Sequence, residues 1–197
     1  MGEIKSAHEL AMEKVKKMGE ATVEDRRRWK YTPEGEKLAR RYINGEADLA
    51  NELSHYEAEA KGYVAKGAEG VLLTNINLPR NNTAIKNSKK AMDGLEVIKN
   101  DKEAVASILG RIGHLFSHYI EQGEQQRKQA YESLKAQFSS KLEQAAREQM
   151  GSAAGVGPSN VENHPQFQEE WRKALAHMDL QYISNLDENK KALASLN

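Results

Sequence analysis

Three residues on one predicted helix have types and spacing suited to chemistry. His114, His118 and Glu121 are spaced i, i+4 and i+7. At 100° per residue they fall within about 60° of one another on one face. Two imidazoles one turn apart can chelate a divalent ion, and a carboxylate one turn further on can complete the set. A helical wheel limits that reading. The apolar stripe Val105, Ile108, Ile112, Leu115 and Tyr119 centres roughly 170° away from the three polar residues. The face therefore points away from the inferred core, which describes a solvated or partner-facing stripe better than a buried catalytic metal. Divalent metal on His114, His118 and Glu121 is kept as the alternative.

Two further clusters carry chemistry in principle. Glu52-Leu53-Ser54-His55 has the Glu-x-x-His spacing of di-iron carboxylate bundles. Such bundles need a second copy and two more inward carboxylates, and this chain has one Glu-x-x-His. Both residues also lie off the apolar face, so a surface helix is the simpler reading. Arg26, Arg27, Arg28 and Lys30 set four cations beside two aromatics, Trp29 and Tyr31. That composition suits phosphate contact with base stacking, or docking on an acidic protein surface; the simplest reading is a solvated linker with Trp29 covering the edge of the bundle. Glu20, Glu24, Glu34 and Glu36 flank it, which disfavours nucleic acid. We take Arg26, Arg27, Arg28 and Trp29 as candidate partner-binding residues. No Walker loop, nucleophile elbow, dinucleotide fingerprint or His-Glu-x-x-His occurs, so no catalytic residue is assigned and no resident cofactor is expected.

The elements that must position these residues read as helices. Four prolines, Pro33, Pro79, Pro158 and Pro165, punctuate the chain. Segment 3–18 carries apolar residues at the helical period, and residues 19–31 read as a polar linker. Thr32-Pro33-Glu34 reads as a helix start, with Gly45 as its C-cap. A helix from Asp48 toward Leu73 follows, then one capped by Thr83, then one capped by Asp101. From Asp101 to Met150 the pattern is helical, except that 121–129 is polar all round. There the helix either bends near Gly123 or leaves the core through solvent. Residues 151–160 read as a flexible Gly/Ser loop, and a last helix starts near His164-Pro165. The fold class is therefore all-α: a compact bundle over 1–120 and a long antiparallel hairpin over 121–197.

Composition narrows the function classes. The chain has 197 residues, with 29 basic against 29 acidic side chains. Zero net charge argues against a generic nucleic-acid or anionic-membrane binder. There is no cysteine, which excludes disulfides, thiolate metal sites and a cysteine nucleophile. Mean hydropathy is −0.78, so no membrane partner is expected. The opening lacks the apolar stretch of a signal peptide, and a cytoplasmic location is the default.

The opening Gly2-Glu3-Ile4-Lys5-Ser6-Ala7-His8-Glu9-Leu10-Ala11-Met12-Glu13-Lys14 resembles the start of a small bacterial family of helical proteins without assigned function. The stretch from Leu72-Leu73 to Leu78-Pro79 is similar to that family too. The resemblance implies a bacterial, cytoplasmic, helical protein and transfers no functional residue. The resulting expectation is a non-enzymatic scaffold or interaction protein that acts through its long helices. Phe167, Trp171, Leu175, Met178, Tyr182, Leu186, Leu193 and Leu196 form an apolar stripe on the last helix. Segment 131–145 offers a shorter stripe to cover it. Either the last helix folds back onto the compact part, or a dimer or protein partner covers Trp171, Met178, Tyr182 and Leu186, and the dimer is the consequent expectation.

Overall fold

A computed structural model describes residues 21–150 and 161–196. The predicted helix 3–18, the opening motif and the Gly/Ser loop 151–160 lie outside the described residues. The fold is all-α: helix accounts for 88% of the described residues, and no strand occurs among them. The helices are α1 (Val23–Asn44), α2 (Leu49–Ser54), α3 (Ala58–Asn75), α4 (Asn82–Ile98), α5 (Lys102–Met150) and α6 (Pro165–Ser195). A 3₁₀ turn, Val161–Asn163, precedes α6. No described helix is long and apolar enough to cross a membrane. The chain forms two compact units. The first is built from residues up to Thr74 with Asp93–Ile98, and the second from Asn75–Met92 with Lys99–Asn197. Position 120 lies inside α5.

In the first unit, α1 begins ten residues earlier than the Thr32-Pro33 start predicts. Thr22 and Asp25 form a capping box: the Asp25 amide donates to the Thr22 hydroxyl at 3.1 Å, and the Thr22 amide donates to Asp25 Oδ2 at 3.2 Å. That box satisfies two amides that would otherwise lack partners and starts the helix without any apolar period. Pro33 is consequently inside the helix, where it removes the bond that the Trp29 carbonyl would receive. Gly45 ends α1 in the left-handed conformation, φ 84°, as its C-cap role requires.

The predicted helix from Asp48 is two helices. Asp48 does cap α2, accepting from the Asn51 amide at 3.1 Å. The ladder then tightens to i→i−3 bonds at His55 and Tyr56 and stops. The Ser54 hydroxyl donates to the Asn51 carbonyl at 2.6 Å. Leu38, Ala39, Leu53, Val64, Ala68 and Leu72 are buried in this unit. α1 and α3 meet backbone to backbone: a Cβ added at Gly35 would lie 2.0 Å from the Val64 carbonyl oxygen, and one at Gly67 would lie 2.1 Å from the Thr32 carbonyl oxygen.

In the second unit, α4 is capped by Asn81 rather than Thr83, its Oδ1 accepting from the Ala84 amide at 2.8 Å. Asp101 caps α5 at 3.0 Å, as expected. α5 runs unbroken for 49 residues, about 74 Å at 1.5 Å per residue. It neither ends nor leaves the unit at 121–129. Gly123 is buried there, beneath the Arg127 guanidinium.

α6 runs antiparallel along α5. Phe138 meets Phe167, Tyr131 meets Trp171, and Tyr119 meets Tyr182, each edge-on, with centroids 5.8, 5.1 and 5.0 Å apart. Val161 joins Phe138 and Phe167 in a small buried cluster, and Lys135 pairs with Glu162 at 2.6 Å. The apolar stripe of α6 is thus covered by its own chain. Phe167, Leu186 and Leu193 are buried, and Trp171, Leu175, Met178 and Tyr182 are half-buried. The expectation that segment 131–145 leaves this stripe short of cover is corrected. Cover continues along α5 at least to Tyr119, and beyond it the buried Lys99 ammonium donates to the Leu196 carbonyl.

Candidate functional site

α5 carries His114, His118 and Glu121. All three are exposed, on the face away from the core. Among the described residues no group of three or more His, Asp or Glu side chains could hold a metal ion. His118 Nδ1 instead sits 2.9 Å from the Tyr182 hydroxyl on α6. Glu52 bonds Arg41 at 3.3 Å, and His55 lies past the end of α2, exposed. The Glu-x-x-His pair is therefore a surface feature.

The Arg-rich segment is an exposed helical surface of the first unit. Arg26 and Arg28 are exposed, and Arg27 is half-buried in an ion pair with Glu59. Arg28 pairs with Asp25 at 3.2 Å, and Lys30 lies 4.7 Å from the Tyr31 ring centre. Among the described residues no ion pair is found for Arg26 or Lys30. Trp29 is 60% exposed and Val23 62%. A shallow hollow of about 270 Å³ lies between Val23, Arg26 and Lys30 on α1 and Glu57, Glu59 and Ala60 at the start of α3. Of the α6 residues expected to contact a partner, Leu186 is 4% exposed and belongs to the core of the second unit. Trp171, Met178 and Tyr182 are half-buried there.

A feature that the sequence reading missed lies in the second unit: a cleft of about 700 Å³ where three arginines from three elements converge. Arg80 follows Pro79 in the α3–α4 connection. The buried Ser88 hydroxyl pins that connection, accepting from the Asn77 amide at 2.9 Å and donating to the Asn77 carbonyl at 3.0 Å. Arg80 reaches Asp179 Oδ2 on α6 at 2.7 Å. Asp179 is buried, and among the described residues its Oδ1 has no hydrogen-bond partner.

Arg127, on α5, folds back along its own helix. Its guanidinium carbon lies 4.3 Å from the Tyr119 ring centre, and it donates to the Tyr119 carbonyl at 3.2 Å. Arg172 stands exposed on α6. Burial raises the Tyr119 phenol above its ordinary pKa, and the Asp179 carboxylate adds to the shift. The phenol therefore stays protonated at neutral pH. Only Gly123, read as a possible bend, hinted at this cleft. Contacts between residues so far apart in sequence leave no local pattern.

Fold and surfaces define a helical protein with one exposed basic-aromatic face and one arginine-lined cleft. A family of unknown function, DUF6657, matches residues 50–195, and the chain belongs to that family. The match includes the Leu72–Pro79 stretch and excludes the opening motif. No curated protein and no solved structure matches the chain.

Proposed function

We propose that the protein is a non-enzymatic interaction module that docks an acidic partner surface on the first turns of α1. The observation that carries this reading is the exposure of Trp29. A tryptophan left 60% in water beside the cations Arg26, Arg28 and Lys30 combines the two residue types that dominate binding hot spots. The dimer expected from the α6 stripe loses its ground, since α5 and α6 cover each other. The interaction reading therefore moves from the long helices to α1.

The test places a photo-crosslinking amino acid at position 29 of the full chain in source cells, with position 180 as an exposed control on α6. One discrete adduct at position 29 is expected. It should be absent at position 180 and lost when Arg26→Glu and Arg28→Glu are added. An adduct of twice the chain mass would identify a second copy as the partner. No adduct at position 29, or the same adducts at both positions, would overturn the proposal.

A further inference from the structure

We propose that the cleft among Arg80, Arg127 and Arg172 is a binding site for a small carboxylic acid with an aliphatic or aromatic body. The inference is independent of docking on α1, because every residue it uses belongs to the second unit.

The arginines are preorganised. A guanidinium has five N–H donors. Arg127 uses one on the Tyr119 carbonyl and rests its plane near the Tyr119 ring. Arg80 is held by a buried carboxylate at 2.7 Å. Both keep donors to spare while their side chains are already ordered, which lowers the entropic cost of gripping a ligand. Arg172 completes the set and has no ion pair among the described residues.

Gly123 makes room for one of them. A glycine inside a helix costs about 1 kcal/mol relative to alanine. A Cβ here would stand 2.8 Å from Arg127 Nη1. Glycine at this position leaves room for the guanidinium to lie back toward Tyr119. Asp179 holds another. Among the described residues its Oδ1 is buried without a donor, and a buried polar group left unsatisfied calls for an explanation, of which a functional role is one. The carboxylate acts here as a positioning residue, holding Arg80 toward the cleft.

Charge and shape select the ligand. Three guanidiniums face the two carboxylates of Glu124 and Asp179, so the site carries one net positive charge. That balance suits a monoanion and disfavours a phosphate monoester, which is near dianionic. A planar guanidinium also matches a carboxylate in bidentate fashion. Pro79, Ile120 and Leu175 add apolar wall, and Ile120 is 43% exposed at the cleft, available to cover an apolar body. A volume of about 700 Å³ falls in the usual range for small-molecule sites.

Calorimetric titration of the full-length protein tests this, with three probes: hydrocinnamate, its uncharged analogue hydrocinnamyl alcohol, and acetate. Hydrocinnamate is expected to bind saturably, one per chain, with the alcohol and acetate each at least about tenfold weaker. Arg127→Ala and Arg172→Ala should each weaken hydrocinnamate by about tenfold or more. Gly123→Ala should weaken it while leaving the circular dichroism spectrum and melting temperature unchanged or improved. That last outcome separates loss of the seated guanidinium from loss of the fold. No saturable binding of hydrocinnamate, equal affinity for the alcohol, or undiminished affinity in the arginine variants would overturn the proposal.

Discussion

Replacing Gly35 by alanine tests the packing of the first unit most directly. A Cβ at this position would lie 2.0 Å from the Val64 carbonyl oxygen, 2.8 Å from its carbon and 3.0 Å from the Ala68 nitrogen. All three atoms are backbone, so no side chain can turn aside, and α1 and α3 must separate by roughly 1 Å. Separation loosens the contacts around Leu38, Ala39, Val64 and Ala68, all 0–4% exposed. A gap of about that size forfeits a quarter to a half of each contact's dispersion energy.

Overpacking of this kind costs typically about 1–3 kcal/mol and occasionally more. The gain from helix propensity returns about 1 kcal/mol. Because the obstacle is backbone, the upper end applies, and the net loss should be about 2 kcal/mol or more. Gly67→Ala meets the Thr32 carbonyl at 2.1 Å and should behave alike. Gly70, three residues along the same helix, has nothing within 4 Å of its added Cβ, and neither has Gly62. Alanine at those two positions should stabilise by about 0.5–1 kcal/mol each. Urea denaturation of the full chain, followed by circular dichroism, measures all four. The reasoning fails if Gly35→Ala lies within about 0.5 kcal/mol of the parent, or if Gly70→Ala destabilises by more than that.

Three other outcomes follow from the same geometry. His118→Ala should cost about 1 kcal/mol through the lost Tyr182 bond, and His114→Ala less than about 0.5 kcal/mol with or without a chelator; a chelator-dependent loss in urea titrations of His114→Ala would restore the metal reading. Trp29→Ala should leave stability within about 0.5 kcal/mol whereas Phe167→Ala should cost about 3–5 kcal/mol, and comparable losses in denaturation would refute the assignment of exposed face and core. The side-chain and backbone hydrogen bonds from Thr22 hold the Asp25 carboxyl below the ordinary carboxylate range. A depressed folded pKa means that the cap's contribution is full above the unfolded value and disappears as pH falls through the folded one; protection of the Thr22 amide, which donates to Asp25 Oδ2, should fall only in that acid window once the intrinsic pH dependence of exchange is divided out, and loss of that protection near neutral pH would contradict the capping box.

Helix in this chain is a local property, and the sequence determined it. Glycine at 45, aspartate at 48 and 101, and proline at 165 act on amides and carbonyls within four residues of themselves. Their caps therefore stand where residue type alone puts them. The apolar stripes of α5 and α6 were readable for the same reason, since a 3.6-residue period depends on nothing beyond the helix. Where local cues competed, tertiary structure decided. Thr22 and Asp25 start α1 ahead of the stronger-looking Thr32-Pro33. Gly35 and Gly67, anonymous in sequence, are where two helices touch backbone to backbone. The polar run 121–129 reads as an exit from the core until Tyr182 lies against Tyr119 and Arg127 folds back over Gly123. Arg80, Arg127, Arg172 and Asp179 come from three elements separated by 45 or more residues along the chain. Packing brings them to one cleft, because burial of distant apolar stripes sets the register of α6 on α5, and that register sets which charges meet.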